Sequence, residues 1–215
     1  QGIPIKTFDD VDECLWKYLG ECVARIEGFK FMPDDILKIL QVYMLKYDIA
    51  NIKAAVLGIL TQRKAKLIPL GIMHNRGLLT TLSNAENLSD VMEIIVSCEM
   101  EAFASILKEN GVEGGLKSRL TAEAQMDSEY YHRLMDITMQ IEDGFVLAKA
   151  FGLTVELTNL QIVSRAIAEN MGPRAADCII TSGYIMPAES VRELLSLRLP
   201  DLPGRLGSNN PYRAI

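Results

Sequence analysis

Histidine occurs only twice in these 215 residues, at His74 and His132, and tryptophan once, at Trp16. Two histidines cannot furnish a three-histidine zinc site. Cysteine is nearly as scarce. Cys14, Cys22, Cys98 and Cys178 stand singly in apolar surroundings, without the close pairs of a zinc site or the density of a disulfide framework. That placement predicts inert core thiols in a reducing, cytoplasmic setting. Positive charge is also short, with 22 Lys and Arg against 28 Asp and Glu and a formal charge of −6. A surface of that sign does not track phosphate backbones, which argues against nucleic acid as a partner. No apolar run is expected to reach the ~20 residues that a membrane-spanning helix needs. Strand signals are missing too: the nearest candidate, DCIITSGYIM at 177–186, is short and interrupted by Gly183.

What the sequence has in quantity is helical periodicity, within a composition (49% hydrophobic, 23% charged) ordinary for one globular domain or two small ones. In DDILKILQVYMLKYDI, residues 34–49, Ile36, Leu37, Leu40, Met44 and Leu45 trace one apolar face, and Asp34 and Asp35 after Pro33 suit a helix start. SDVMEIIVSCEMEAFASILKEN, residues 89–110, continues the pattern through Val91, Ile94, Ile95, Cys98, Phe103 and Ile106. This predicts one helix, capped by Ser89 and stopped by Gly111. A third long helix is expected from Ser128 to Ala150, with Tyr131, Leu134, Ile137, Ile141, Phe145 and Ala148 on one side. The tail LPDLPGRLGSNNPYRAI, rich in Pro, Gly and Asn, is expected to turn or extend rather than form a helix. The fold class read from these signals is all-α.

One short pattern occurs twice. Asp48-Ile-Ala-Asn51-Ile52 matches Glu156-Leu-Thr-Asn159-Leu160 at an offset of 108 residues, and each copy opens a further apolar run. A breaker follows in both: LIPLGIM around Gly71 and IITSGYIM around Gly183. From Asn to Gly the separations are 20 and 24 residues, so the register survives a four-residue insertion near Gly172-Pro173. Amphipathic helix with aromatics precedes each copy, with Trp16 and Tyr18 in one and Tyr130 and Tyr131 in the other. The chain reads as a duplicated helical unit, with boundaries at 9–115 and 116–198 and an irregular tail at 199–215. Residues three apart on a helix share a face, so Asp48 with Asn51, and Glu156 with Asn159, point together at a neighbouring segment. A buried amide must find partners. Asn51 and Asn159 are therefore expected to anchor the breaker or a preceding helix end, and the acids to cap helix amides or pair with a base. An exposed catalytic or ligand-binding role is the alternative.

Other motifs carry less. EYYH, Glu129 to His132, has the Glu-x-x-His spacing of helix-borne di-iron ligands, but a complete site needs a second such pair. His74 cannot supply it, being expected in a loop after the breaker; His132 is expected to be a partly exposed helix histidine paired with an acid. GVEGG at 111–115 lacks the Gly-Lys-Ser/Thr ending of a nucleotide loop and reads as a helix-to-helix turn. NLS at Asn87 matches a glycosylation sequon, yet Asn87 is taken as a pre-helix residue. The ten methionines scatter through apolar faces as core filler.

YDIANIKAAVLGI with LIPLGIM, VELTNLQIVSRAI with IITSGYIM, and SEYYHRLMDI together resemble the repeat marks of the C subunit of archaeal and bacterial A/V-type ATPases, whose eukaryotic relative is the d subunit of the vacuolar ATPase. The resemblance spans most of residues 10–197. It implies a helical repeat fold like part of a funnel that usually holds three such units, two of which are found here. Gly58 and Ile59 stand where an arginine often follows the first Asn. Arg63 is nearby but out of register, whereas Arg165 in the second unit fits. By the same resemblance the chain is a non-catalytic central-stalk adaptor, without cofactor or metal. It would couple central shaft subunits to a proteolipid rotor ring for proton or sodium transport, in the cytoplasm and held to the membrane only through protein partners. Candidate docking residues are Ile68, Pro69, Met73, His74 and Arg76 in one breaker and Tyr184 and Met186 in the other, which repeated units would place on one rim. The alternative is a stand-alone helical module, derived from such a protein, that binds another protein or a small ligand. An enzyme of other chemistry would require an internal pocket holding several ionisable groups.

Overall fold

The computed structural model describes residues 6–110 and 116–208, and every regular element among them is helical. The chain divides into two compact units, Gln1–Ala104 and Ser105–Ile215. In the first, Thr7 and Asp10 form a capping box that starts α1, Phe8–Glu27. Asp34 and Asp35, after Pro33, occupy the first turn of α2, Asp34–Thr61, where carboxylates favour the free N–H groups. α2 packs on α3 (Ile72–Asn75), α4 (Leu79–Ser83) and α5 (Leu88–Ser97), and α6 (Glu101–Asn110) follows. The core-facing stripe of α2 runs through Ile39, Leu45, Ile49, Ile52 and Val56. Ile36, assigned to that face from sequence, is 40% exposed.

In the second unit α7, Leu116–Met139, packs on α8, Gly144–Ala168. A 3-10 segment, Gly172–Cys178, and α9, Ala188–Leu194, close the same core, in which Val155, Ile162 and Val163 meet Ile180, Met186 and Val191. A short 3-10 turn, Leu199–Asp201, and α10, Leu202–Ser208, complete it.

Four expectations about elements are corrected. Residues 89–110 form two helices, because Glu99 adopts φ +62 and ends α5 one turn before α6 begins. The cap of α5 is Asn87, in a capping box with Asp90, and not Ser89. The helix expected at 128–150 is likewise two: Asp143 at φ +57 turns the chain, and Gly144 packs so closely on the Thr138 carbonyl that no Cβ fits. The tail is helical through Ser208. Pro203 falls in the first turn of α10, where a missing N–H costs nothing, and Leu202 is buried. GVEGG lies outside the described residues.

α8 is long and apolar enough, by length and composition, to cross a membrane, contrary to the sequence expectation. Its polar Glu156 and Asn159 are buried against the unit's own backbone, and 39% of its most apolar window is buried within the fold.

The cysteines split into two classes. Cys98 and Cys178 are buried, and burial pushes both thiols up from their ordinary range. Cys14 and Cys22, expected in the core, are half-buried on α1 because that helix buries none of its residues. In the native protein an aromatic disulfide reagent is expected to modify Cys14 and Cys22 at least about tenfold faster than the buried pair. Equal rates at all four would contradict the packing described.

Candidate functional site: two loops held by paired polar side chains

Each unit uses the same device. On α2, Asn51 takes the backbone of Ile68 at both ends: its Nδ2 donates to the Ile68 carbonyl at 2.9 Å, and the Ile68 N–H donates to Oδ1 at 2.7 Å. One turn earlier, the Asp48 carboxylate accepts from the N–H groups of Ile72 and Met73, both at 2.9 Å. Those are the opening amides of α3, which lack helical partners. Between the two anchors Gly71 has φ +92, and a Cβ there would lie 2.6 Å from Asp48 Cγ. The carboxylate thus sits directly on the glycine.

On α8 the arrangement returns. Asn159 Nδ2 donates to the Ile180 carbonyl at 2.8 Å and Oδ1 accepts from Ile180 N–H at 2.9 Å. Glu156 Oε1 accepts from the N–H groups of Ile185 and, at 2.9 Å, Met186. Gly183 lies over this carboxylate, with a hypothetical Cβ 3.2 Å from Glu156 Cγ. Asp48, Asn51, Glu156 and Asn159 are all buried. The repeat residues of each unit, Asp48, Asn51 and Gly71 in one and Glu156, Asn159 and Gly183 in the other, are brought together in space.

Burial pushes the Asp48 carboxyl above its ordinary 3.8, against the Met73 and Ile72 N–H groups and the nearby His74, which act to lower it. A raised folded-state value means that the folded chain binds the proton more readily than the unfolded one. The contribution of Asp48 to stability therefore falls as pH rises from 3.8 through the raised value. The stability difference between wild type and Asp48→Asn is expected to move against wild type over that acid window and to be flat at neutral pH, by urea titrations at stepped pH. A difference that instead grew with pH would reverse the assignment.

Arg165 joins a different network: it lies 3.0 Å from Glu123 Oε2, while Arg119 Nε lies 3.0 Å from Oε1. Glu123 carries no mark in the repeat; only its helical position opposite Arg165 could have suggested it. Of the expected docking residues, Ile68 and Pro69 are half-buried, while His74, Arg76 and Tyr184 are exposed. Met73 and Met186 are buried. The acid that captures each one's N–H draws the side chain into the core, which removes both from any docking surface. His74 lies within α3 and not in a loop. Glu129 turns to Arg133 at 2.6 Å, and His132 has its ring nitrogen 3.2 Å from the Thr181 hydroxyl, where an acid was expected. No group of three or more His, Cys, Asp or Glu among the described residues could hold a metal ion.

Residues 6–215 match the family model described as ATP synthase (C/AC39) subunit. The chain belongs to that family. Two curated relatives of this C/AC39 chain are both named as the C subunit of an A-type ATP synthase. The one from Methanosphaera stadtmanae is 27% identical over 77% of this chain and 44% of its own. The one from Methanocaldococcus jannaschii is 23% identical over 86% of this chain and 47% of its own. The chain therefore spans under half the length of either relative. No solved structure matches it.

Proposed function

We propose that the chain serves as a non-catalytic central-stalk adaptor of an A/V-type rotary ATPase, coupling the shaft to the membrane rotor ring during proton or sodium transport. The observation that carries this reading is membership of the C/AC39 family, together with two curated relatives named as the C subunit of an A-type ATP synthase. The pinned loops support it. A part that transmits torque needs loops whose positions are fixed by side chains rather than left to solvent, and each unit fixes one with four hydrogen bonds. Exposed Tyr184 on the second loop, with exposed His74 and Arg76 on α3 and its C-cap just beyond the first loop, are the residues offered to the cytoplasmic loops of a ring. In this reading the chain is cytoplasmic and meets the membrane only through its protein partners.

The test is co-purification. A tagged chain expressed in its native cell is expected to bring down the other stalk subunits and the proteolipid ring. Recovery of the chain alone, as a folded monomer that ignores rotor-ring peptides, would replace this reading with the stand-alone binding module.

A further inference from the structure

The two units carry a groove at the same place in the repeat, and the grooves differ in depth. In the second unit it lies between Met135 and Met139 of α7, Gly152 of α8 and Ser182–Tyr184, with a volume of about 210 Å3. In the first it lies between α1, Met44 of α2 and Leu70–Ile72, with a volume of about 690 Å3. The match is positional: Met44 and Gly152 stand 108 residues apart, as Asn51 and Asn159 do, and each triplet is centred on the repeat glycine.

A local cause explains the difference. Gly152 has no side chain, so Tyr184 comes down onto α8, and a Cβ at 152 would lie 2.8 Å from Tyr184 Cβ. Lys149 Nζ then lies 5.6 Å from the Tyr184 ring and 5.4 Å from that of Phe145. The second unit covers its groove with its own aromatic ring beside a cation. In the first unit Met44 replaces the glycine and Ile72 the tyrosine, and the space stays open.

What faces that space lacks a cover. Trp16, Gly20 and Val23 of α1 line it, yet α1 buries none of its 20 residues. Trp16 meets Tyr47 edge-on at 5.7 Å and Lys66 pairs with Asp9, so α1 is held to its own unit, but its inner face stays only half-buried. Its charge is one-sided, six acids against two bases. Glu13 and Glu27, both lining the groove, are separated by about 21 Å along the helix. Neither carboxylate has a partner among the described residues. Arg76, on the opposite wall, is taken by Glu99 at 2.8 Å, which leaves Lys17 as the unpaired fixed cation there among the described residues.

We propose that this groove docks an amphipathic helix of a partner protein. The helix lies along α1 with its apolar stripe on Trp16, Val23 and Met44, and its flanking Lys or Arg side chains face Glu13 and Glu27. The inference rests on the adaptor reading only for the source of that helix.

Trp16 is the single tryptophan of the chain, so its emission reports the groove directly. The full chain is titrated with a synthetic amphipathic helix bearing a leucine stripe and flanking lysines, and with the same peptide flanked by glutamates. Expected are a saturable blue shift with the lysine peptide and about tenfold weaker binding of the glutamate peptide. The double variant E13Q/E27Q loses about fivefold in affinity for the lysine peptide at low salt, a gap that closes near 1 M salt. Leu15→Gln, on the exposed outer face of α1, leaves binding unchanged. Absence of a saturable Trp16 shift, equal binding of the two peptides, or loss of binding in Leu15→Gln would each overturn the proposal. A chain that binds the peptide but does not co-purify with stalk or ring proteins sinks the adaptor reading alone; the opposite pair of results sinks this one alone.

Discussion

Replacing Asn159 with Leu is expected to cost about 4 kcal/mol, and replacing Asn51 with Leu about 2 kcal/mol: the first change orphans both the N–H and the carbonyl of Ile180, whereas the second orphans the Ile68 N–H but leaves its carbonyl the Leu70 N–H at 2.9 Å. Burial adds to the ranking. Both bonds of Asn159 to Ile180 are buried, whereas those of Asn51 to Ile68 are partly so and leave water a route to the freed groups. Leucine keeps the branching of asparagine but carries bulkier methyl groups, so the penalty combines the lost hydrogen bonds with some overpacking at a buried site. Urea unfolding measures the totals. Native-state hydrogen exchange locates them: protection of the Ile180 and Ile68 amides should collapse while amides in the middle of α7 and α2 are spared. Unchanged unfolding midpoints would move these amides out of a structural role.

Gly71→Ala is expected to cost about 3 kcal/mol or more, since φ +92 with ψ −174 is accessible essentially to glycine alone. Strain is joined by collision with a buried carboxylate: the new Cβ would sit 2.6 Å from Asp48 Cγ. The loop must lift, and the Ile72 and Met73 N–H groups lose their acceptor. Gly183→Ala provides the comparison. That residue has no positive φ and its nearest neighbours would be 3.1 and 3.2 Å away, so about 1 kcal/mol is expected. Truncating the acid as well should recover part of the first loss, giving a coupling of about 1 kcal/mol or more between Asp48→Ala and Gly71→Ala. Equal costs at the two glycines, or strict additivity with Asp48, would show that the carboxylate does not gate the turn.

The polar pairs were legible because a buried amide and acid three residues apart on an apolar helix demand partners, and because the pattern recurs beside a glycine at nearly constant distance. Helix class was legible from periodicity for the same reason that α2 and α8 bury continuous stripes. The breaks were not. Glu99 leaves the helical region without a proline or glycine to announce it, while at Asp143 the Asp-Gly pair with Gly144 was a turn signal that the apolar spacing, running on through both turns, masked. At the tail the error ran the other way, since Pro203 and Gly204 read as breakers although a first-turn proline is tolerated. The groove could have been found from the repeat register, which pairs Met44 with Gly152. What sequence could not supply was its depth, which depends on how far Tyr184 descends onto a bare backbone.

The two anchors also differ in gauge. In the first unit the acid-held Ile72 comes four positions after the amide-held Ile68; in the second, Ile185 comes five positions after Ile180. The longer span is met by Glu156, whose side chain is one methylene longer than that of Asp48. Reach and slack have been matched within each half, so a crossover that placed the shorter segment under the glutamate, or the longer under the aspartate, would produce a misfitted hybrid. Once set, such tailoring keeps either segment from serving in the other half.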